Sequence, residues 1–245
     1  MLLAISPLFA QLPSTGATTS KGPFSRLAVG GGLSLNGINL QAATNVSRNF
    51  NVRAVGNVFK YTVNNLNSKG FNGTADLNLA TFGASLDYYP FPTHGLRLSP
   101  GLLFYNQNVL TGSGTVVANQ TFKLNSVTYY SSSTLPVQGT IGLGLNARNP
   151  SFTMTIGWGN MISRTGGHWS FPVELGAAFV GDPKLTANLS GLACTAQGTG
   201  CVNAATDPTF QSNLTAQITK SQKDLNVLSV YPIISFGVTY NFRIR

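Results

Sequence analysis

Residues Leu228–Phe242 read LSVYPIISFGVTYNF, and this stretch decides the fold. Leu228, Val230, Pro232, Ile234, Phe236, Val238, Tyr240 and Phe242 share one parity, and all are large and apolar. Ser229, Tyr231, Ile233, Ser235, Gly237, Thr239 and Asn241 share the other and are mostly small or polar. Successive side chains of a strand point to opposite faces, so the segment predicts a sheet surface that is greasy on one side and wet on the other. An edge strand of a soluble sandwich does not need eight outward apolar positions in a row. A strand crossing a membrane as part of a barrel does, with apolar residues toward lipid and small or polar ones toward the lumen.

Composition points the same way. The chain has 245 residues, enough for one barrel and too few for two substantial domains. Only 9% of residues are charged, far below a soluble domain, and mean hydropathy is slightly positive at +0.11. No window holds about 18 uninterrupted apolar residues, which excludes a spanning helix. Apolarity hidden in alternation, in a medium without water for the backbone, requires a sheet that closes on itself.

Working outward from the last strand, the alternation predicts seven more. Arg26–Leu35 and Ile38–Val46 flank Asn36-Gly37, a two-residue hairpin signal. Phe50–Tyr61 follows, then a polar loop over Asn64–Gly73. Thr74–Tyr89 changes phase midway, with Leu77 and Leu79 on one parity and Phe82, Leu86 and Tyr88 on the other, which predicts a β-bulge near Ala80-Thr81. Leu96–Tyr105, Phe152–Met161 and Trp169–Phe179 complete the set. The expected fold is an all-β, eight-stranded antiparallel up-and-down transmembrane barrel over residues 25–242. Ten strands result if Val137–Leu145, inside the long segment 106–151, is counted separately. A second long loop, 181–226, holds Cys194 and Cys201, expected to pair as a disulfide. It also holds a helix over Pro208–Leu225, with Asp207 as N-cap and Pro208 at its first position. Its thin apolar stripe of Phe210, Leu214, Ile218 and Leu225 is expected to rest on the barrel rim. The turns at Ser47–Asn49, Pro90–Gly95 and Arg164–Gly167 are short and fall on one side, and most connections on the other are long. That asymmetry fits short periplasmic turns and long extracellular loops.

At the N-terminus, Leu2–Ala10 reads as the core and end of a secretory signal, with cleavage after Ala10. Residues 11–24 read as a flexible lead-in.

The chain is similar to small bacterial outer-membrane β-barrels of the outer membrane protein A, X and W type. The carriers are VSRNFNVRAVGNVF, DYYPFPTHGLRLSPGLLFY, IGWGN and YPIISFGVTYNF, and the likeness spans roughly residues 24–242. DPTF together with YPIISFGVTYNF resembles a subgroup with a helical last loop. The resemblance implies a bacterial outer-membrane location and a C-terminal signal for the barrel-insertion machinery, carried by Phe236, Val238, Tyr240 and Phe242. Here Arg243, Ile244 and Arg245 follow the terminal aromatic.

The inward parity carries Arg26, Arg53, Asp87, Arg97 and Glu174, charges that must pair in so narrow an interior. Such a network either plugs the lumen or gates a thin path for water, ions or small hydrophobic solutes. Pro100 and Pro232, which cannot donate ladder hydrogen bonds, are where a lateral opening in the wall is expected. His168 and Ser170 lie two apart with Glu174 on the same face. A His-x-Ser pair resembles the dyad of outer-membrane lipid A deacylases, but that dyad faces lipid and the parity here faces inward. An esterase therefore ranks last, and no enzyme is expected. No metal cluster or phosphate loop is present in the sequence, and no cofactor is expected. The net charge of +9 is spread over turns and loops, at Arg48, Arg164, Arg243 and Arg245 and at Lys69, Lys123, Lys184, Lys220 and Lys223. That spread leaves no basic-aromatic surface for nucleic acid. It suits either anionic lipid head groups, lipopolysaccharide included, or plain solvation. The expected assembly is a monomer in the bilayer, acting through its surface loops or as an envelope scaffold.

Overall fold

The computed structural model describes residues 22–68, 70–163 and 167–244. The signal read at 1–10, residues 11–21 of the lead-in, Lys69, positions 164–166 of the expected turn and Arg245 lie outside the described residues. In chain order the strands are β1 (Arg26–Ser34), β2 (Gly37–Asn45), β3 (Phe50–Ser68), β4 (Phe71–Tyr88), β5 (Arg97–Asn106), β6 (Val109–Val116), β7 (Thr121–Leu124) and β8 (Val127–Ser131). They continue with β9 (Gln138–Gly144), β10 (Ser151–Trp158), β11 (Trp169–Ser170), β12 (Val173–Phe179), β13 (Lys184–Ser190), β14 (Leu192–Ala196) and β15 (Thr199–Asn203). Helix α1 (Pro208–Asp224) and a 3-10 turn over Leu225–Ser229 lead into β16 (Val230–Arg243).

Eight strands close an antiparallel ring in the order β16-β1-β2-β3-β4-β5-β10-β12, and β12 pairs back onto β16. β1 runs along β16 from Arg26↔Arg243 to Ser34↔Ser235, so the two ends of the chain seal the barrel. β11 extends β12 along β16, interrupted at Phe171-Pro172 where proline cannot donate. The parity of the last strand is as the alternation predicts: Val230, Ile234, Phe236 and Phe242 are exposed, and Tyr231, Gly237, Thr239 and Asn241 are buried. Its start differs, because Leu228 and Ser229 belong to the 3-10 turn. At the β1–β2 tip Gly37 has φ +99, and a side chain there would collide with Phe59 and with the backbone of Val58.

Above the ring, at the end opposite the short turns, five strands continue upward. The expected loop over Asn64–Gly73 is instead the top of a tall β3–β4 hairpin, paired from Phe50↔Tyr88 to Ser68↔Phe71. β6 continues the line of β5, β9 that of β10, and β13 that of β12. Together they form a wall in the order β13-β9-β6-β4-β3. The Val137–Leu145 segment is therefore a strand of the wall, and the ring holds eight strands, not ten.

The bulge expected near Ala80-Thr81 is absent from the β3–β4 ladder, whose register is unbroken there. An irregularity lies on the other side, where Phe82 pairs with Tyr105 but Gly83 with Leu103. β4 keeps its parity, and its surroundings change instead. In the ring the inward positions Thr81, Gly83 and Asp87 are buried, and Phe82 and Leu86 face out. In the wall the same inward parity carries Leu77 and Leu79, while Asp76 and Asn78 face out.

A second sheet, β15-β14-β8-β7, stands beside the wall. Cys194 and Cys201 sit opposite each other on β14 and β15 and are joined as a disulfide. Helix α1 is capped by Asp207, whose carboxylate accepts from the Phe210 backbone N–H at 2.8 Å. Its stripe does not rest on the rim. Phe210 and Leu214 are buried against Leu124, Tyr129, Val137 and Ala193, and Ile218 packs at the edge with Ala187 and Leu189 of the wall. The two long segments thus build a small domain with its own core.

Candidate functional site: a stoppered lumen

Four ring strands bring charges together across the lumen, and a fifth adds a hydroxyl. Arg53 on β3 donates through Nε to Asp87 on β4 at 3.1 Å, and through Nη1 and Nη2 to Glu174 on β12 at 2.7 and 3.0 Å. Arg97 on β5 donates Nη2 to the same Glu174 carboxylate at 3.1 Å. Thr155 on β10 donates its hydroxyl to Glu174, and Ser85 donates to Asp87 at 3.3 Å. All four charged groups are buried, and their formal charges cancel. Taking charges out of water is costly unless they are paired and hydrogen-bonded, so this bidentate arrangement is what lets four of them occupy one interior.

Below the charges the chain turns into the barrel. After Trp158, at the end of β10, it leaves the ring, and Gly159–Ser163 fold inward from the short-turn end. Met161 and Ile162 are buried against Ala28 and Ala43. Hydrogen bonds from several ring strands and turns hold this stopper. Arg97 Nη1 donates to the Gly159 carbonyl at 2.8 Å, and Thr239 donates its hydroxyl to the Met161 carbonyl at 3.3 Å. The Met161 N–H donates to the Tyr89 hydroxyl at 3.2 Å, and the Ser163 N–H to Asn241 Oδ1 at 2.9 Å. Asn160 Nδ2 donates to the Pro92 carbonyl at 3.2 Å. Ser170 donates to the Asn160 carbonyl, and Arg26 to the Ser163 carbonyl. The sequence grouped Arg26 with the charge network, but it serves the stopper.

Above the charges, a polar chain crosses four strands. Ser34 and Asn39 both donate to Asn57 Oδ1, at 2.9 and 2.8 Å, and Asn57 Nδ2 donates to Thr81 at 3.0 Å. A cavity of about 60 Å³ lies between the charges and the mouth, room for a few waters. Tyr231, Leu103 and Ile233 roof it, with Ala178 and Val180 behind them. Asn108 donates Nδ2 to the Tyr231 hydroxyl at 3.2 Å, fixing that ring across the opening. Pro232 lines this cavity and Pro100 does not. The β4–β5 ladder skips Pro100, with no partner between Ser85↔Gly101 and Tyr88↔Leu98.

His168, Ser170 and Glu174 each take separate partners. The His168 ring stacks on Tyr240 with centroids 5.5 Å apart, and its Nδ1 lies 3.2 Å from the Asn241 carbonyl. Ser170 is engaged with Asn160, and Glu174 with two arginines and Thr155. The stopper was not legible in the sequence, which placed Met161 at the end of a strand. The only local sign was the Trp158-Gly159-Asn160 sequence, where alternation breaks and Gly159 takes φ +98.

Among the described residues, no group of acidic, histidine or cysteine side chains is arranged to hold a metal ion, and no helix is long and apolar enough to cross a membrane. The outside of the ring is an apolar belt. At its short-turn rim stand Phe50, Tyr88, Trp158, Trp169, Tyr240 and Phe242, several in ring contact: Phe50–Tyr88 at 5.0 Å, Trp169–Tyr240 at 5.0 Å and Tyr240–Phe242 at 4.8 Å.

No protein-family model and no curated protein matches the chain. Solved structures do. Acinetobacter baumannii CarO superposes with a TM-score of 0.54 at 16% identity, over 90% of this chain and 98% of that one. Acinetobacter baumannii CarO2 gives 0.57 at 13% identity, over 91% and 100%. At such identity the likeness speaks for the fold, an antiparallel β-barrel, and it extends over nearly the whole of each chain.

Proposed function

We propose that this protein is an integral bacterial outer-membrane barrel with a closed lumen, non-enzymatic, acting through the domain at its long end. The observation that carries the reading is the double closure: a paired charge cluster and, beneath it, a folded-in stopper. The apolar belt with an aromatic rim is the surface a bilayer requires. The short turns then lie in the periplasm and the wall, second sheet and helix lie outside the cell, with residues 1–10 as an export signal and 11–24 as a lead-in. Biogenesis through the barrel-insertion machinery, recognising Phe236, Val238, Tyr240 and Phe242, follows from the resemblance to the outer membrane protein A, X and W type. Bilayer lipids and lipopolysaccharide are the partners, and a monomer is the assembly.

Planar-bilayer recording of the refolded protein, after heat-modifiable gel mobility has shown that it is folded, tests the closure. Silence supports it. A second reading, a gated conduit, draws on one observation: Arg97 bonds both Glu174 and the Gly159 carbonyl, so one side chain links charge cluster and stopper. Steady openings that change when Arg97 is replaced by Gln establish that reading and overturn the closed one.

A further inference from the structure

The inner face of the wall is apolar, open and unclaimed by the closed lumen. Tyr61, Leu77, Leu110, Leu143 and Leu185 form one ladder across all five wall strands. Phe59 and Leu79 lie one row below it, and Ile141 one row above. The second sheet and α1 cover the upper end through Ala187 and Leu189. Away from those two residues the face is uncovered: Tyr61 is 57% exposed, Ile141 53%, Leu110 42% and Phe59 40%. The opposite face carries Lys60, Asp76, Thr111, Thr186 and Lys184, so the wall stands in a polar medium and its greasy side is not part of the belt.

The belt reaches this face beside the β1–β2 tip. β3 loses its β2 partner above Ile38↔Val58, so its upper edge is free over the low β1–β2 tip. Leu33, Leu35 and Ile38 are exposed on the belt side of that tip. Gly37, without a side chain, lies against Phe59 on the other. Only the two-residue tip Asn36-Gly37 therefore parts the apolar surface of the belt from Phe59 and Tyr61.

We infer that the inner face of the wall takes up an acyl chain of an outer-leaflet lipid, entering over the β1–β2 tip. The inference rests on the membrane reading above. The greasy path, broken only by this narrow tip, identifies a bilayer chain as the occupant, and the uncharged ladder leaves only an alkyl group to be matched.

Full-length protein in vesicles carrying a phospholipid with a diazirine at its chain end is irradiated, and labelled peptides are mapped by mass spectrometry. Labels on Phe59–Val63 and on the peptides of Leu110 and Ile141, in addition to the belt strands, are expected. In the Leu110→Asn/Ile141→Asn variant, wall labelling falls about tenfold while belt labelling holds, as the loss of contact with about two methylenes implies. These positions are exposed, and if the variant does not fold the wild-type map decides. A labelled belt with an unlabelled wall, or an unmoved ratio in the folded variant, overturns the inference. Wall labelling by a water-soluble diazirine hexanoate but not by the bilayer lipid overturns it in favour of a free solute. An unlabelled belt sinks the membrane reading and takes the inference with it.

Discussion

The lower and upper halves of the β3–β4 hairpin are one ladder with opposite insides. In the ring its inward residues are Arg53, Asn57, Thr81 and Asp87, and its outward ones Phe50, Val52, Phe82 and Leu86. Ten residues further up, the inward side is Tyr61, Val63 and Leu77, and the outward side Thr62, Thr74 and Asp76. The backbone twist and register run through the change without a break. A strand has no preferred greasy face of its own, because the medium on each side sets it. Where the outside is apolar, the polar groups retreat inward and must be paired there. Where the outside is polar, the apolar groups turn inward and gather a core.

The largest effect tests the paired interior. Glu174→Ala leaves Arg53 and Arg97 without their shared carboxylate in a buried site. It is expected to lower barrel stability by about 4 kcal/mol, read as the urea midpoint of heat-modifiable mobility in refolded vesicles. A cost under about 1 kcal/mol would mean that water reaches the cluster and that the lumen is not closed.

Next comes the upper core. Phe210→Ala removes the fully buried centre of the helix contact, and is expected to cost the small domain about 3 kcal/mol. Limited proteolysis then cuts within 109–205 while the ring keeps its gel mobility. Collapse of both halves together would deny that the upper domain has a core of its own.

A pair of substitutions on one parity of β3 addresses the inversion directly. Val52→Arg on the belt is expected to destabilise the bilayer-embedded protein by about 2 kcal/mol, whereas Thr62→Arg on the wall stays within about 0.5 kcal/mol of wild type. Equal costs at the two sites would erase the distinction between belt and wall. The smallest of the domain effects is the helix cap: Asp207→Ala is expected to cost about 1 kcal/mol, seen as faster amide exchange at Phe210 and Gln211 with no change in the ring.

Much of the barrel is legible in the sequence. The exposed row from Val230 to Phe242, the Asn36-Gly37 hairpin, the Asp207 cap and the inward parity of Arg53, Asp87, Arg97 and Glu174 all follow from local periodicity and turn chemistry. The phase change at Leu77 to Phe82 was visible too, and a bulge was the wrong explanation for it. Periodicity along one strand reports that its two faces differ, not which medium each one meets.

Sequence by itself determined what a strand's own residues dictate: where alternation starts and stops, which face is greasy, and where the chain must turn. Tertiary structure alone decided that Leu77, Leu110, Leu143 and Leu185, scattered over more than a hundred residues, form one row. It also decided that Gly159–Ser163 fold into the lumen instead of continuing a strand, and that Arg26 joins them while Arg97 serves both stopper and charge cluster. The physical reason is the same in each case. Alternation is fixed by backbone geometry over neighbouring residues, but register, closure and charge partners are fixed by pairing between distant segments, which single-strand periodicity does not encode.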